Sequence, residues 1–315
     1  MVAAMAELRE VATGLGFPEG PVAMSDGSVI VVEIAHGTVT RVGKDGSKEE
    51  IARPGGGPNG AAVGPDGNLY VCNNGAAFDY LEMEGMEGIR VPRQPPSNYS
   101  HGRIERIDLA SGAVEVVYKE CEGRPLRAPN DLVFDGHGGF YFTDHGIREH
   151  RTADRTGVFY AQADGSSVRE VIPPLDAPNG VGLSPDGSRL YVAETYTACI
   201  WYWDIAGPGD VTVPQGLLPH GGELLTRLPG FQFLDSLAVD GEGNVCVATL
   251  GSGGITTVSP EDGSVVEFVE GGDLFVTNIC FGGEDLRTAY LTLSGAGKLA
   301  EVPWARAGLA LAHAA

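Results

Sequence analysis

The sequence is short of positive charge: 21 Lys and Arg stand against 42 Asp and Glu, a net charge of -21. Such a field repels phosphate backbones and anionic lipid, so the expected partners include no nucleic acid and no membrane. Cysteine is scarce too. Cys72, Cys121, Cys199, Cys246 and Cys280 are odd in number and never spaced as CxxC, which argues against a disulfide framework and predicts reduced thiols in a cytoplasmic protein. The opening stretch MVAAMAELREVATGL lacks a basic segment ahead of an apolar one. No run approaches the ~18 apolar residues of a membrane span. Familiar catalytic signatures are also missing. There is no HExxH zinc motif and no P-loop, and Gly182-Leu183-Ser184-Pro185-Asp186 lacks the final glycine of a nucleophile elbow.

What the chain does have is turns and a repeat. Gly 47 and Pro 20, without a collagen-like period, predict many short strands, and 43% hydrophobic content supplies a large core. One phrase recurs six times: PEGPVAMSDGSVIVVE from Pro18, PNGAAVGPDGNLYVCN from Pro58, PNDLVFDGHGGFYFTD from Pro129, PNGVGLSPDGSRLYVAE from Pro178, LDSLAVDGEGNVCVAT from Leu234 and TNICFGGEDLRTAYLT from Thr277. Each copy is a polar head residue, a short apolar strand, a Gly-containing turn and a second apolar strand, the pattern of a hairpin. The heads are spaced near the ~40–50 residues of a propeller blade, except where the insertion Ala76–Arg103 intervenes. Further strand pairs such as GRIERIDLASGAVEVVY lie between the hairpins.

Four strands per repeat and six repeats predict an all-β fold, a six-bladed β-propeller with four-stranded antiparallel blades around a central channel, as one domain over residues 1–315. Leu8–Leu15 is expected to pair with Lys298–Val302 and so close the ring. Two stacked β-sandwiches are the competing architecture, but they give no reason for a common head residue.

The heads are Glu19, Asn59, Asn130, Asn179, Asp235 and Asn278. Equivalent positions in a propeller share one depth, so these side chains should converge on one end of the channel. The competing explanation is that Asn and Asp merely suit turns; a polar side chain in all six copies weighs against it. Two carboxylates and four amides, with no His or Cys, suit a hard cation, calcium before magnesium or manganese.

The wording FPEGP, RAPNDLVFDGHGGFYFTD, APNGVGLSPDGSRLYVAET, LDSLAVDGEGN and VTNICFGGEDLRTAYLT closely resembles the SMP-30/gluconolactonase/luciferin-regenerating-enzyme-like family, from about Gly16 to Thr292. The resemblance implies a six-bladed propeller holding one divalent cation, usually Ca2+ with Mg2+, Mn2+ or Zn2+ as alternatives. It also implies hydrolysis of sugar or other lactones. It assigns Glu19, Asn130, Asn179 and Asp235 as metal ligands, Asp235 as general base and Asn130 as a residue orienting substrate or water. Asn59, Asp131, Arg127, His145 and Asn278 are candidate contacts for a small-molecule substrate. Sugar-lactone members carry an arginine two residues before the asparagine matched by Asn130; here that place is Ala128, which puts a sugar acid in doubt. The insertion Ala76–Arg103, with Phe78, Tyr80 and Tyr99, is expected to be a lid, helped by a second long connection, Gly207–Phe233. The competing functions are a non-catalytic calcium-binding scaffold, phosphotriester hydrolysis, and isomerisation or addition through a metal enolate. The sequence leaves the oligomeric state open.

Overall fold

The innermost strands of the sheets are Pro18–Ala23, Pro58–Val63, Pro129–Phe134, Pro178–Leu183, Phe233–Val239 and Val276–Gly282. Each starts an antiparallel sheet that runs outward from the channel, giving six blades, numbered here in that order. The computed structural model describes residues 8–82, 84–94 and 96–313. Turn glycines such as Gly27, Gly67 and Gly187, at φ 80°, 76° and 70°, let each hairpin reverse without a Cβ penalty. The sixth blade is closed by Arg9–Ala12, which pairs with Lys298–Pro303 through Arg9↔Glu301 and Ala12↔Leu299. The first strand thus fills the outer edge of the last blade, as its sequence predicts.

A hydrophobic cluster fills every gap between neighbouring blades. The second and third blades meet at Tyr70, Ile104, Phe134 and Phe140, the third and fourth at Tyr141, Val158, Val192 and Trp203. Stability is therefore spread around the ring. Two details depart from the sequence reading. The insertion contains a hairpin of its own, Asp79–Glu82 with Arg90–Arg93. The stretch Gly207–Phe233 is only partly a connection, because Glu223–Arg227 pairs with Cys199–Gly207 as the outer strand of the fourth blade.

The six heads share one backbone device. In every blade the register between the innermost and second strands slips at the head, as between Glu19 and Val22 or Leu234 and Leu237. A bulge of this kind re-aims a side chain at the rim of a sheet. The glycine after several heads has a separate cause. A Cβ on Gly60 would lie 2.5 Å from the Asn130 carbonyl oxygen and 2.6 Å from Asp131 Cα, and one on Gly180 would lie 2.5 Å from Leu237 N. The run Pro-Asn-Gly therefore marks close approach of neighbouring inner strands. Gly180→Ala is expected to destabilise the fold by about 1–3 kcal/mol through overpacking. Gly207→Ala, where nothing lies within 4 Å, should leave a urea unfolding midpoint nearly unmoved.

Candidate active site

The structure brings all six heads to one end of the channel. Glu19, Asn59, Asn130, Asn179 and Asn278 are buried, and Asp235 is half-buried as a residue. Glu19 Oε2 accepts hydrogen bonds from Asn278 Nδ2 at 2.7 Å and from Gly20 N at 2.9 Å, joining the first and last blades. Burial raises the Glu19 carboxyl above its ordinary value, against the opposing hydrogen bond from Asn278. Burial, then repulsion from Glu19 and Asp131, pushes Asp235 well above its own. Asp131 is driven to about 8 by burial and then by Glu19.

Three enclosed carboxyl groups that repel one another form a site wanting positive charge. The amides agree. Asn179 Nδ2 donates to Thr195 Oγ1 at 3.1 Å, and the side-chain oxygens of Asn130 and Asn179 are both buried without a hydrogen-bond partner. Orphaned buried oxygens are rare and ask for an explanation. A hard cation held by Glu19, Asn130, Asn179 and Asp235 would satisfy both amides and offset the repulsion. Among the described residues no three His, Cys, Asp or Glu side chains gather as a ligand cluster, so the donor set depends on these amide oxygens.

Other candidates take different places. Asp131 lies beside the ring, with its backbone N bonded to Thr143 Oγ1 at 3.1 Å. Arg127 turns aside, its Nε donating to Asp154 Oδ2 at 2.7 Å, and Ala128 is fully buried. Two residues before Asn130 the chain therefore presents a methyl group, not a guanidinium. His145 is buried between Phe78 and Tyr196, at ring distances of 5.8 and 5.9 Å. Burial lowers its imidazole to about 4, so it is neutral at pH 7.

The polar residues ending the second strands are staples for the loops that lead into the heads. Asp144 accepts the backbone N–H groups of Arg127 and Ala128, both at 2.7 Å, and that of Gly146 at 3.1 Å. Asn73 does the same for Gly57 and Gly75, and Glu194 for Asp176. The E, N, D, E endings of VVE, VCN, FTD and VAE are the signal that could have shown this.

The mouth above the ring is aromatic. Phe17, Tyr80 and Phe275 make one group, with Phe17 4.8 Å from Tyr80 and 6.3 Å from Phe275. Tyr196 and Phe233, 5.6 Å apart, make another. The insertion is tied to both sides of this mouth. Arg90 N and Nη1 donate to the carbonyls of Gly295 and Leu15, each at 2.9 Å, while Gln94 Oε1 accepts Arg148 N at 3.1 Å. Toward the turn side the channel widens into a cavity of about 620 Å³ walled by residues such as Val22, Leu132 and Leu237 and flanked by Leu309–His313. Asp131 and Asn278 also line it, so this cavity reaches the ring of heads from the turn side.

The molecule is a six-bladed β-propeller with a ring of oxygen-bearing side chains at one end of its channel. The chain belongs to the SMP-30/gluconolactonase/LRE-like family, whose characteristic region matches residues 17–295. It is 30% identical over 237 residues to lactonase drp35 of Staphylococcus haemolyticus, covering 75% of this chain but 64% of that enzyme, just under two-thirds of its length. To the gluconolactonase of Zymomonas mobilis it is 26% identical over 309 residues, covering 90% of this chain and 78% of the relative. Among solved structures it superposes on a gluconolactonase from Xanthomonas campestris with TM-score 0.73 and 21% identity, covering 95% and 89% of the two chains. A calcium-binding regucalcin from Agrobacterium tumefaciens gives TM-score 0.74 at 16% identity, covering 98% and 97%. At these identities the structural likeness concerns the fold.

Proposed function

We propose that this protein is a divalent-cation-dependent lactonase that opens a small lactone or related cyclic ester. The observation that carries the reading is the pair of orphaned amide oxygens on Asn130 and Asn179, set in a ring with Glu19 and Asp235. Family membership and the lactonase names of its relatives support the reaction class. These residues would hold one cation, calcium by preference for an all-oxygen set. When bound, it supplies Lewis-acid polarisation of an ester carbonyl.

The protein's own groups divide the remaining work. Glu19 is committed to Asn278 and Gly20, whereas Asp235 is half-buried and has no such bonds among the described residues to hold its carboxylate. Asp235 is therefore the residue that accepts a proton from the attacking water. Water adds to the carbonyl carbon, the ring C–O bond breaks as Asp235 returns the proton to the departing ring oxygen, and a hydroxy acid leaves. Asn130 orients water or substrate beside Asp235, and Asn59, Asp131 and Asn278 shape the floor. Neutral His145, Phe78 and Tyr196 form an apolar wall. The insertion, anchored on opposite blades, acts as a lid that excludes water. With Arg127 turned aside and the family arginine replaced by Ala128, an apolar lactone is favoured over a sugar acid. Five free cysteines fit action in the reducing cytoplasm.

The test pairs elemental analysis of the purified protein with a lactone panel assayed before and after chelation. Activity should disappear with the metal and return on adding Ca2+. Turnover that survives complete metal removal overturns the reading; cation binding with no turnover points instead to a binding protein.

A further inference from the structure

The insertion brings a polar group to the ring. Tyr80 sits on the inner hairpin Asp79–Glu82, and its hydroxyl is buried with no hydrogen-bond partner among the described residues. Its ring packs against Phe17, two residues before Glu19. The hydroxyl is thus a donor beside the ring of heads with nothing to donate to among the described residues. Packing fixes it there. The Tyr80 ring lies 4.8 Å from that of Phe17, and Phe17, immediately before Pro18 and Glu19, holds a left-handed φ of 56°. A non-glycine residue rarely holds that conformation, and such strain clusters at functional sites. The hairpin is further pinned by Arg90 to Leu15 and Gly295.

We propose that Tyr80 is a substrate-binding residue of this site, its hydroxyl donating a hydrogen bond to an ester oxygen of the bound lactone. The proposal rests on the lactonase reading. It makes the insertion part of the site as well as its cover, because the donor arrives on the lid and would leave with it.

Tyr80→Phe removes the hydroxyl and keeps the ring against Phe17. Three measurements are made on wild type and variant: kcat and KM for δ-valerolactone, calorimetric binding of its unreactive analogue δ-valerolactam, and calcium affinity. Expected are a fall in kcat/KM of about 10- to 100-fold, a lactam Kd raised about 10-fold, and a calcium Kd unchanged within about two-fold. Unchanged lactam affinity overturns the proposal, and so does a lactam that fails to bind the wild type. Calcium affinity falling in step with activity also overturns it, by placing the hydroxyl in the cation's shell. If the wild type binds lactam but hydrolyses no lactone, the hydrolase reading falls while the lactam comparison still judges Tyr80.

Discussion

Asp235→Asn is expected to lower kcat about 10²- to 10⁴-fold, the range associated with loss of a general base, while the protein stays folded. The substitution keeps size and shape, and an amide oxygen can still face a cation, but it cannot accept a proton at neutral pH. Asp235 is placed for this role beside the other heads by the bulge between Leu234 and Leu237. Loss of the charge also relieves repulsion with Glu19 and Asp131, so the unfolding midpoint of the metal-free variant should not fall. Steady-state kinetics at saturating Ca2+ with a matched urea titration decide the matter. Near-wild-type kcat removes Asp235 as the base; a folding loss large enough to account for the kinetic one makes it structural.

Glu19→Gln should act on the cation first. Calcium affinity is expected to weaken by about 100-fold or more, since one of only two carboxylates in the ligand set is lost. The effect on stability has two opposite signs. In the metal-free protein Glu19 is a buried carboxyl opposed by Asp235 and Asp131, so its neutral replacement should melt at or above the wild-type temperature. With calcium present, the wild type gains binding energy that the variant does not, and the order should reverse. Melting curves with and without Ca2+, beside calorimetric titration, test both signs. A metal-free variant that melts well below wild type would make the Asn278–Glu19 hydrogen bond the dominant role of this residue.

The blades and the ring of heads were legible because both rest on short-range chemistry repeated at a fixed period. Glu19 and its five counterparts stand out once the six phrases are aligned, and even the closing strand near Arg9 follows from the need to cover an edge. What stayed hidden depends on contacts between blades. Gly60 and Gly180 look like turn residues until the neighbouring backbone is in place. The roles of Asp144 and Glu194 are set by the N–H groups they accept from neighbouring loops. Arg127 had a site-like position in the chain, but its guanidinium direction was decided by Asp154, 27 residues further on. Tyr80 was legible only as an aromatic in a long insertion. Its placement over the ring follows from how Arg90 docks on Leu15 and Gly295, which no local pattern encodes.

The pairing of Arg9–Ala12 with Lys298–Pro303 bears on when the ring can exist at all. Contacts separated by 292 residues, such as Arg9 with Glu301, are among the slowest to form because the intervening chain must first be ordered. The proposed ligands come from the first, third, fourth and fifth blades, and Glu19 meets Asn278 of the sixth only after the circle is complete. A nascent chain would then have partial blades but no place for the ion. On the proposed reading, cation capture would be a late event of biosynthesis, following the pairing of Arg9–Ala12 with Lys298–Pro303.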